Sequence, residues 1–195
     1  MAKSRTTWII LIIVVLIGLW LIRIYNSLVT ADENVSTAWS QVENVYQRRL
    51  DLIPNLVNTV QGAADFERNT LNEVIQARAA ASSINLDAAN LNEANLAAFQ
   101  QAQDGLGQAL SRLMVVVERY PELKANQNFR DLQSQLEGTE NRIAVERNRF
   151  NEAVRIYNTS IRRFPKNLIA GIFGFEARAY FQAEDNAQKA PQVQF

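Results

Sequence analysis

Phe129, Leu132, Leu136, Thr139, Ile143, Glu146, Phe150, Ala153, Tyr157, Ser160 and Phe164 succeed one another at alternating spacings of three and four residues. A heptad repeat held this long specifies an α-helix with one buried stripe. Such a helix cannot cover its own apolar face, so it needs partner helices. Asn126 or Asn128 is placed to begin it and Pro165 to end it.

The same rhythm occurs nearer the N-terminus, in Val35, Trp39, Val42, Tyr46, Arg49, Ile53, Leu56, Val60 and Ala63, and it runs through Pro54. Proline inside a helix removes a backbone donor and costs about 3 kcal/mol. Packing along the stripe then has to hold a kinked but continuous helix together. Alternatively, Asp51 caps a new helix with Pro54 in its first turn. Helical character continues to Ser82 and Ser83, and residues 84–93, rich in Asn, read as a polar connection with Asn90 or Asn92 capping the next helix. Leu96, Phe99, Leu106, Leu110, Leu113, Val117 and Tyr120 form a third stripe, interrupted by Gln103 and stopped at Pro121.

These patterns predict an all-α fold: an N-terminal transmembrane helix, then a long antiparallel bundle of three long helices plus a short C-terminal helical segment. The expected core contains Trp39, Tyr46, Ile53, Leu56, Leu113, Phe129, Leu136, Ile143, Phe150 and Tyr157. Residues 1–31 are assigned to the anchor, 32–183 to the bundle and 184–195 to a flexible tail.

The anchor assignment rests on a charge-free run from Thr6 to Ile22, with Trp8 and Trp20 near its ends and Arg23 placed to snorkel outward. As a helix, residues 6–25 extend about 30 Å, the thickness of the hydrocarbon core. A cleaved signal peptide is the competing reading, with Val29, Thr30 and Ala31 as its small-residue site. Lys3 and Arg5 precede the run, whereas Asp32 and Glu33 come after Arg23. That bias favours a cytoplasmic N-terminus and an extracytoplasmic bundle.

Lys plus Arg equals Asp plus Glu, so no overall charge draws the chain to nucleic acid. The absence of both Cys and His removes thiolate chemistry, a Ser-His-Asp triad and a Glu-x-x-His di-iron bundle. No catalytic, cofactor-binding or metal-ligating residue is assigned, and no small-molecule substrate is identified. Glu137, Glu140, Glu146 and Glu152 are interleaved with Arg142, Arg147, Arg149 and Arg155, the pattern of a solvated charged face.

The stretches "AWSQVENVYQRRLDLIPNLVNTV", "RYPELKANQNFRDLQSQLEGTENRIAVERNRFNEAVRIYN" and "IRRFPKNLIAGIFGF" together resemble the LemA family of bacterial proteins, over nearly the whole chain. The resemblance implies a long-helix bundle anchored in the cytoplasmic membrane, with no established enzymatic reaction to carry over. Some members are associated with magnetosome membranes, which fits organising a membrane better than transforming a metabolite.

Arg49 and Glu146 both occupy seam positions that ask for apolar residues. In an up-down-up bundle they stand about 30 Å apart. Arg78 is then the nearer partner for Glu146, unless both polar side chains snorkel at seam edges. Arg162, Arg163 and Lys166 suit the negative end of a helix dipole, or alternatively lipid headgroups or nucleic acid. The same level estimate puts residues 165–181 at the distal end of the bundle. There Leu168, Ile169, Ile172, Phe173 and Phe175 form a candidate intersubunit or partner interface, or a cap on their own bundle.

The expected function is a non-catalytic scaffold in the bacterial inner membrane, crossing it once. Its expected partners are membrane lipid around the N-terminal helix and a homo-oligomer or an envelope protein. The alternative is an enzyme or small-ligand receptor with a polar pocket between helices.

Overall fold

The computed structural model describes residues 2–62 and 67–182, apart from the side chains of residues 2–6 and 89. Ala63 and the tail from 184 onward lie outside the described residues. The α-helices, in chain order, are α1 Ala2–Gln61, α2 Arg68–Ser83, α3 Glu93–Val117, α4 Pro121–Ala125, α5 Gln127–Arg162 and α6 Lys166–Phe173. No strand occurs among the described residues. The three long helices are α1, α3 and α5.

Helix α1 continues without a break from the apolar N-terminus into the bundle and passes through Pro54. No new helix starts at Asp51. Pro54 is exposed, and its missing N–H leaves the carbonyl of Leu50, four residues back, without an intrahelical donor. Arg78 of α2 supplies one: its Nε donates to the Leu50 oxygen at 3.0 Å. A side chain from the next helix therefore replaces the bond that the proline removes.

The first stripe does not extend to Ser83 as a single helix. α1 ends at Gln61, and α2 folds back beside it: Arg78 lies opposite Leu50, and Trp39 Nε1 donates to the Leu86 carbonyl at 3.0 Å. α3 then runs parallel to α1, with Phe99 against Trp39 and Tyr46, and Gln103 against Arg49. α5 returns antiparallel to α1, with Glu140 at Arg49, Phe150 at Trp39 and Lys166 at Ser27. The early reversal adds one change of direction, so the up-down-up estimate inverts α5. Residues 165–181 consequently lie along α1 between Tyr25 and Trp39, at the end opposite to the one expected.

Local chemistry explains several helix limits. Asn92 Oδ1 accepts from the N–H of Asn95 at 2.9 Å and Asn126 Oδ1 from that of Phe129 at 3.2 Å, capping α3 and α5. Pro121 opens α4 at its first turn, where its missing donor is harmless, while α3 ends at Val117. Gly174 ends α6 at φ 72°, and the Phe175 N–H bonds back to the Ala170 carbonyl at 3.0 Å. That left-handed geometry suits glycine.

The interior falls into two apolar clusters. The membrane-proximal one joins Ile24, Leu28, Val35, Trp39, Val42 and Tyr46 of α1 to Phe99, Ile143, Phe150, Val154 and Tyr157. The distal one joins Leu50, Ile53, Leu56, Val57 and Val60 to Val74, Leu106, Leu113, Phe129 and Leu136. Leu86 and Leu91, in the connection read as polar, are buried in the proximal cluster.

Candidate functional site

Between the two clusters lies a polar layer formed by the interruptions of the seams. Arg49, only 3% exposed, interrupts the stripe of α1, and Gln103, also buried, that of α3. The Arg49 guanidinium donates to the Gln103 carbonyl at 3.1 Å, to the Gln103 side-chain oxygen, and to Glu140 Oε1 at 2.8 Å. The guanidinium also lies over Tyr46, 5.1 Å from the ring centroid. Burial pushes the Tyr46 phenol above the usual tyrosine range.

Arg49 therefore pairs with Glu140, not with Glu146. Glu146 meets Arg149 at 2.8 Å, one turn along its own helix, and Arg78 serves the Leu50 carbonyl. The pairings expected from the heptads depended on α5 running parallel to α1. Glu140 belongs to the carboxylate set assigned to solvent and is half exposed, but it caps this buried charge. A groove of about 650 Å³ opens beside the layer, lined by Arg49, Gln100, Gln103, Asp104 and Arg147 among others. Arg49 Nε has no hydrogen-bond partner among the described residues.

Trp39, Tyr46, Ile53, Leu56, Leu113, Phe129, Leu136, Ile143, Phe150 and Tyr157 are all buried. Trp39 sits at the centre of an aromatic cluster with Phe99, Phe150 and Phe181. Phe181 arrives from the segment after α6, which runs extended along α5 and back toward the polar layer.

Side-chain amides grip the backbone of that strap. Asn158 Nδ2 donates to the Arg178 carbonyl at 2.8 Å while its Oδ1 accepts the Arg178 N–H at 2.9 Å. Asn151 makes the same two bonds to Phe181, at 3.1 and 2.9 Å, and Gln100 makes them to Gln182, at 3.1 and 3.3 Å. Seven residues of helix rise about 10.5 Å and three residues of extended chain about 10 Å, so Asn151 and Asn158 match strap residues three apart. Arg178 further pairs with Asp32 at 3.1 Å, and Tyr157 Oη donates to the Glu176 carbonyl at 2.8 Å. Sequence patterning missed the strap because its partners are single amides on other helices. The one signal was Asn158, a polar residue four positions from Val154 and three from Ile161 on the buried face of α5.

At the membrane-proximal end, Trp8, Trp20 and Arg23 are exposed on α1. α1 is long and apolar enough to cross a membrane. The Tyr25 ring lies 4.8 Å from that of Phe173 and 6.0 Å from that of Phe175. Of the candidate interface, Leu168, Ile172 and Phe173 are exposed, Phe175 is half buried, and Ile169 points into the bundle. Lys166 Nζ donates to Ser27 at 2.8 Å and contacts Ser160 at 3.2 Å.

Fold and site together define a helical bundle carried on an apolar N-terminal helix that is long enough to span a membrane. The chain belongs to the LemA family, whose family model matches residues 38–195. It is 30% identical to magnetosome protein MamQ 2 of Paramagnetospirillum magneticum, over 89% of this chain and 70% of that protein. It is 28% identical to magnetosome protein MamQ of Magnetospirillum gryphiswaldense, over 87% of this chain and 70% of that one. With protein LemA of Metamycoplasma hominis the identity is 24%, over 82% and 69%.

Proposed function

We propose that the protein is a non-catalytic scaffold, anchored in the bacterial inner membrane by residues 1–31, that self-assembles or recruits envelope partners through its bundle. The observation that carries this reading is the continuity of α1. Ile24 and Leu28, immediately after the apolar run, are buried in the same cluster as Trp39 and Phe150. A bundle built around the continuation of its own anchor moves with it as one body, which suits positioning partners at a membrane.

Cleavage after Ala31 would remove Ile24, Tyr25 and Leu28 from their contacts, which favours an uncleaved anchor over a signal peptide. The charge bias across the span supports an extracytoplasmic bundle. The relatives named as magnetosome proteins agree with a role at a membrane-bounded structure. The decisive experiment is chemical crosslinking in intact cells, then mass measurement of detergent-solubilised complexes. Assemblies containing several copies or a reproducible envelope partner are expected. A monomer without crosslinked partners would reject the scaffold reading.

The polar groove supports a second reading, a small-ligand receptor, because the buried Arg49 Nε faces no protein acceptor among the described residues. A carboxylate-bearing metabolite that raises the melting temperature of wild type, but not of Arg49→Met, would favour it.

A further inference from the structure

We infer that α6, with the turn before it, lies in the membrane interface as a second attachment to lipid, its outer apolar face buried among acyl chains and its basic flank on anionic headgroups. This rests on the reading of α1 as a membrane anchor, and names the partner of the exposed face beside that anchor.

Position is the first argument. The apolar run ends at Ile22, and α6 meets α1 at Tyr25 and Ser27, three and five residues further on. At helical rise those contacts lie about 4.5 to 7.5 Å beyond the end of the run. The headgroup layer on each side of a 30 Å core is about 5 to 8 Å deep. Helix α6 is therefore at headgroup level whenever the span is in the bilayer. The contacts at its two ends lie only two residues apart on α1, about 3 Å of rise, although α6 itself is about 12 Å long. It thus crosses α1 and lies near the plane of the membrane.

Surface chemistry is the second argument. After Lys166 and Asn167 the helix is apolar on every side. Ile169 and Ala170 fill the inner side. Leu168 and Ile172, one turn apart, face outward with Phe173, and Phe164 in the preceding turn is 80% exposed. Contiguous exposed apolar residues of this kind need a cover, and lipid is already present at this height around α1.

Charge is the third. Arg162, Arg163 and Lys166 cluster around the turn before α6 with no carboxylate between residues 153 and 175, Arg155 being paired with Glu152 at 2.6 Å, and Arg23 lies at the same end of α1. Arg163, Phe164 and Lys166 line a hollow of about 440 Å³ together with Ile156 and Ser160. Cations flanking an apolar helix face are the signature of an interfacial helix on anionic lipid.

The test uses the full chain, whose lack of cysteine lets one nitroxide label be placed at a time. Leu168→Cys, Ile172→Cys, Val14→Cys in the span and Val115→Cys at the distal end are labelled and reconstituted in phosphatidylcholine vesicles containing phosphatidylglycerol. Labels at 14, 168 and 172 should collide with oxygen in preference to a water-soluble nickel complex, and the label at 115 should show the reverse. Without phosphatidylglycerol, the preference at 172 should fall while that at 14 stays; an unchanged value at 172 would overturn the headgroup contact. Nickel access at 168 and 172 with 14 immersed would overturn the interfacial helix alone. Nickel access at 14 would overturn the anchor itself. Spin–spin broadening at 172 with loss of oxygen collisions would overturn the lipid contact by assigning the face to a second copy.

Discussion

Pro54 removes the donor for the Leu50 carbonyl, and Arg78 restores one from a neighbouring helix at 3.0 Å. The proline is exposed, so its ring is not what the core requires. Its consequence is a carbonyl free to bind α2, which ties the returning helix to α1 near Leu50. Local helix stability is exchanged for a tertiary bond.

Arg78→Met should therefore destabilise the bundle by about 1 kcal/mol, the net value of one hydrogen bond. In Pro54→Ala the residue 54 N–H can satisfy the Leu50 carbonyl, and adding Arg78→Met to that background should cost measurably less. A double-mutant cycle by chemical denaturation in detergent reads the coupling. Strictly additive effects would show that Arg78 acts elsewhere.

The polar layer invites a second cycle. Gln103→Leu leaves Arg49 buried with fewer acceptors and should cost about 1 to 3 kcal/mol. Arg49→Met with Gln103→Leu replaces the pair by apolar volume and should recover wild-type stability or exceed it, as buried ion pairs replaced by packed residues often do. If the double variant melts below both singles, the polar layer stabilises the fold more than apolar packing can.

Phe150→Asp should unfold the protein. Phe150 has no exposed surface and touches both Trp39 and Phe181. Burying an unpaired carboxylate there should cost several kcal/mol, roughly the whole stability of a domain. Circular dichroism would reveal it as lost cooperative melting, whereas an unchanged midpoint would place the α5 stripe at the surface.

The strap yields its own expectation. Asn151→Leu together with Asn158→Leu removes four bonds to the backbone of residues 178 and 181. Limited proteolysis should then cut between 175 and 182 markedly faster, with the helical signal retained. Equal protection would mean that Phe181 packing and the remaining bonds from Tyr157, Gln100 and Asp32 hold the segment.

Alkaline pH should weaken the fold. Burial raises the Tyr46 and Tyr157 phenols above their ordinary value, with Asp32 adding to the effect at Tyr157. The folded state thus holds these protons more tightly than the unfolded chain does. This stabilisation is fully present below the unfolded tyrosine pKa of about 10 and is lost as pH rises from there through the folded values. Absorbance titration of tyrosinate alongside denaturant midpoints should show stability falling above about pH 10, with a shallower fall in Tyr46→Phe.

Read by itself, the sequence determined the helices and their buried faces, because heptad spacing records which side of a helix avoids water. Val35 through Val60 and Phe129 through Tyr157 needed nothing more, and neither did the apolar run at the N-terminus. It also marked Arg49 and Gln103 as interruptions. It took the packing of the helices to bring these two together, to set Glu140 over Arg49 and to place Arg78 against the carbonyl that Pro54 leaves free. The physical reason is that periodicity carries no direction: a stripe packs equally well against a parallel or an antiparallel neighbour. One reversal between α1 and α2, unmarked in the heptads, set the sense of every later helix. It carried α6 to the membrane end and laid the 175–182 strap along α5, where recognition runs through side-chain amides and backbone atoms that no hydrophobic pattern encodes.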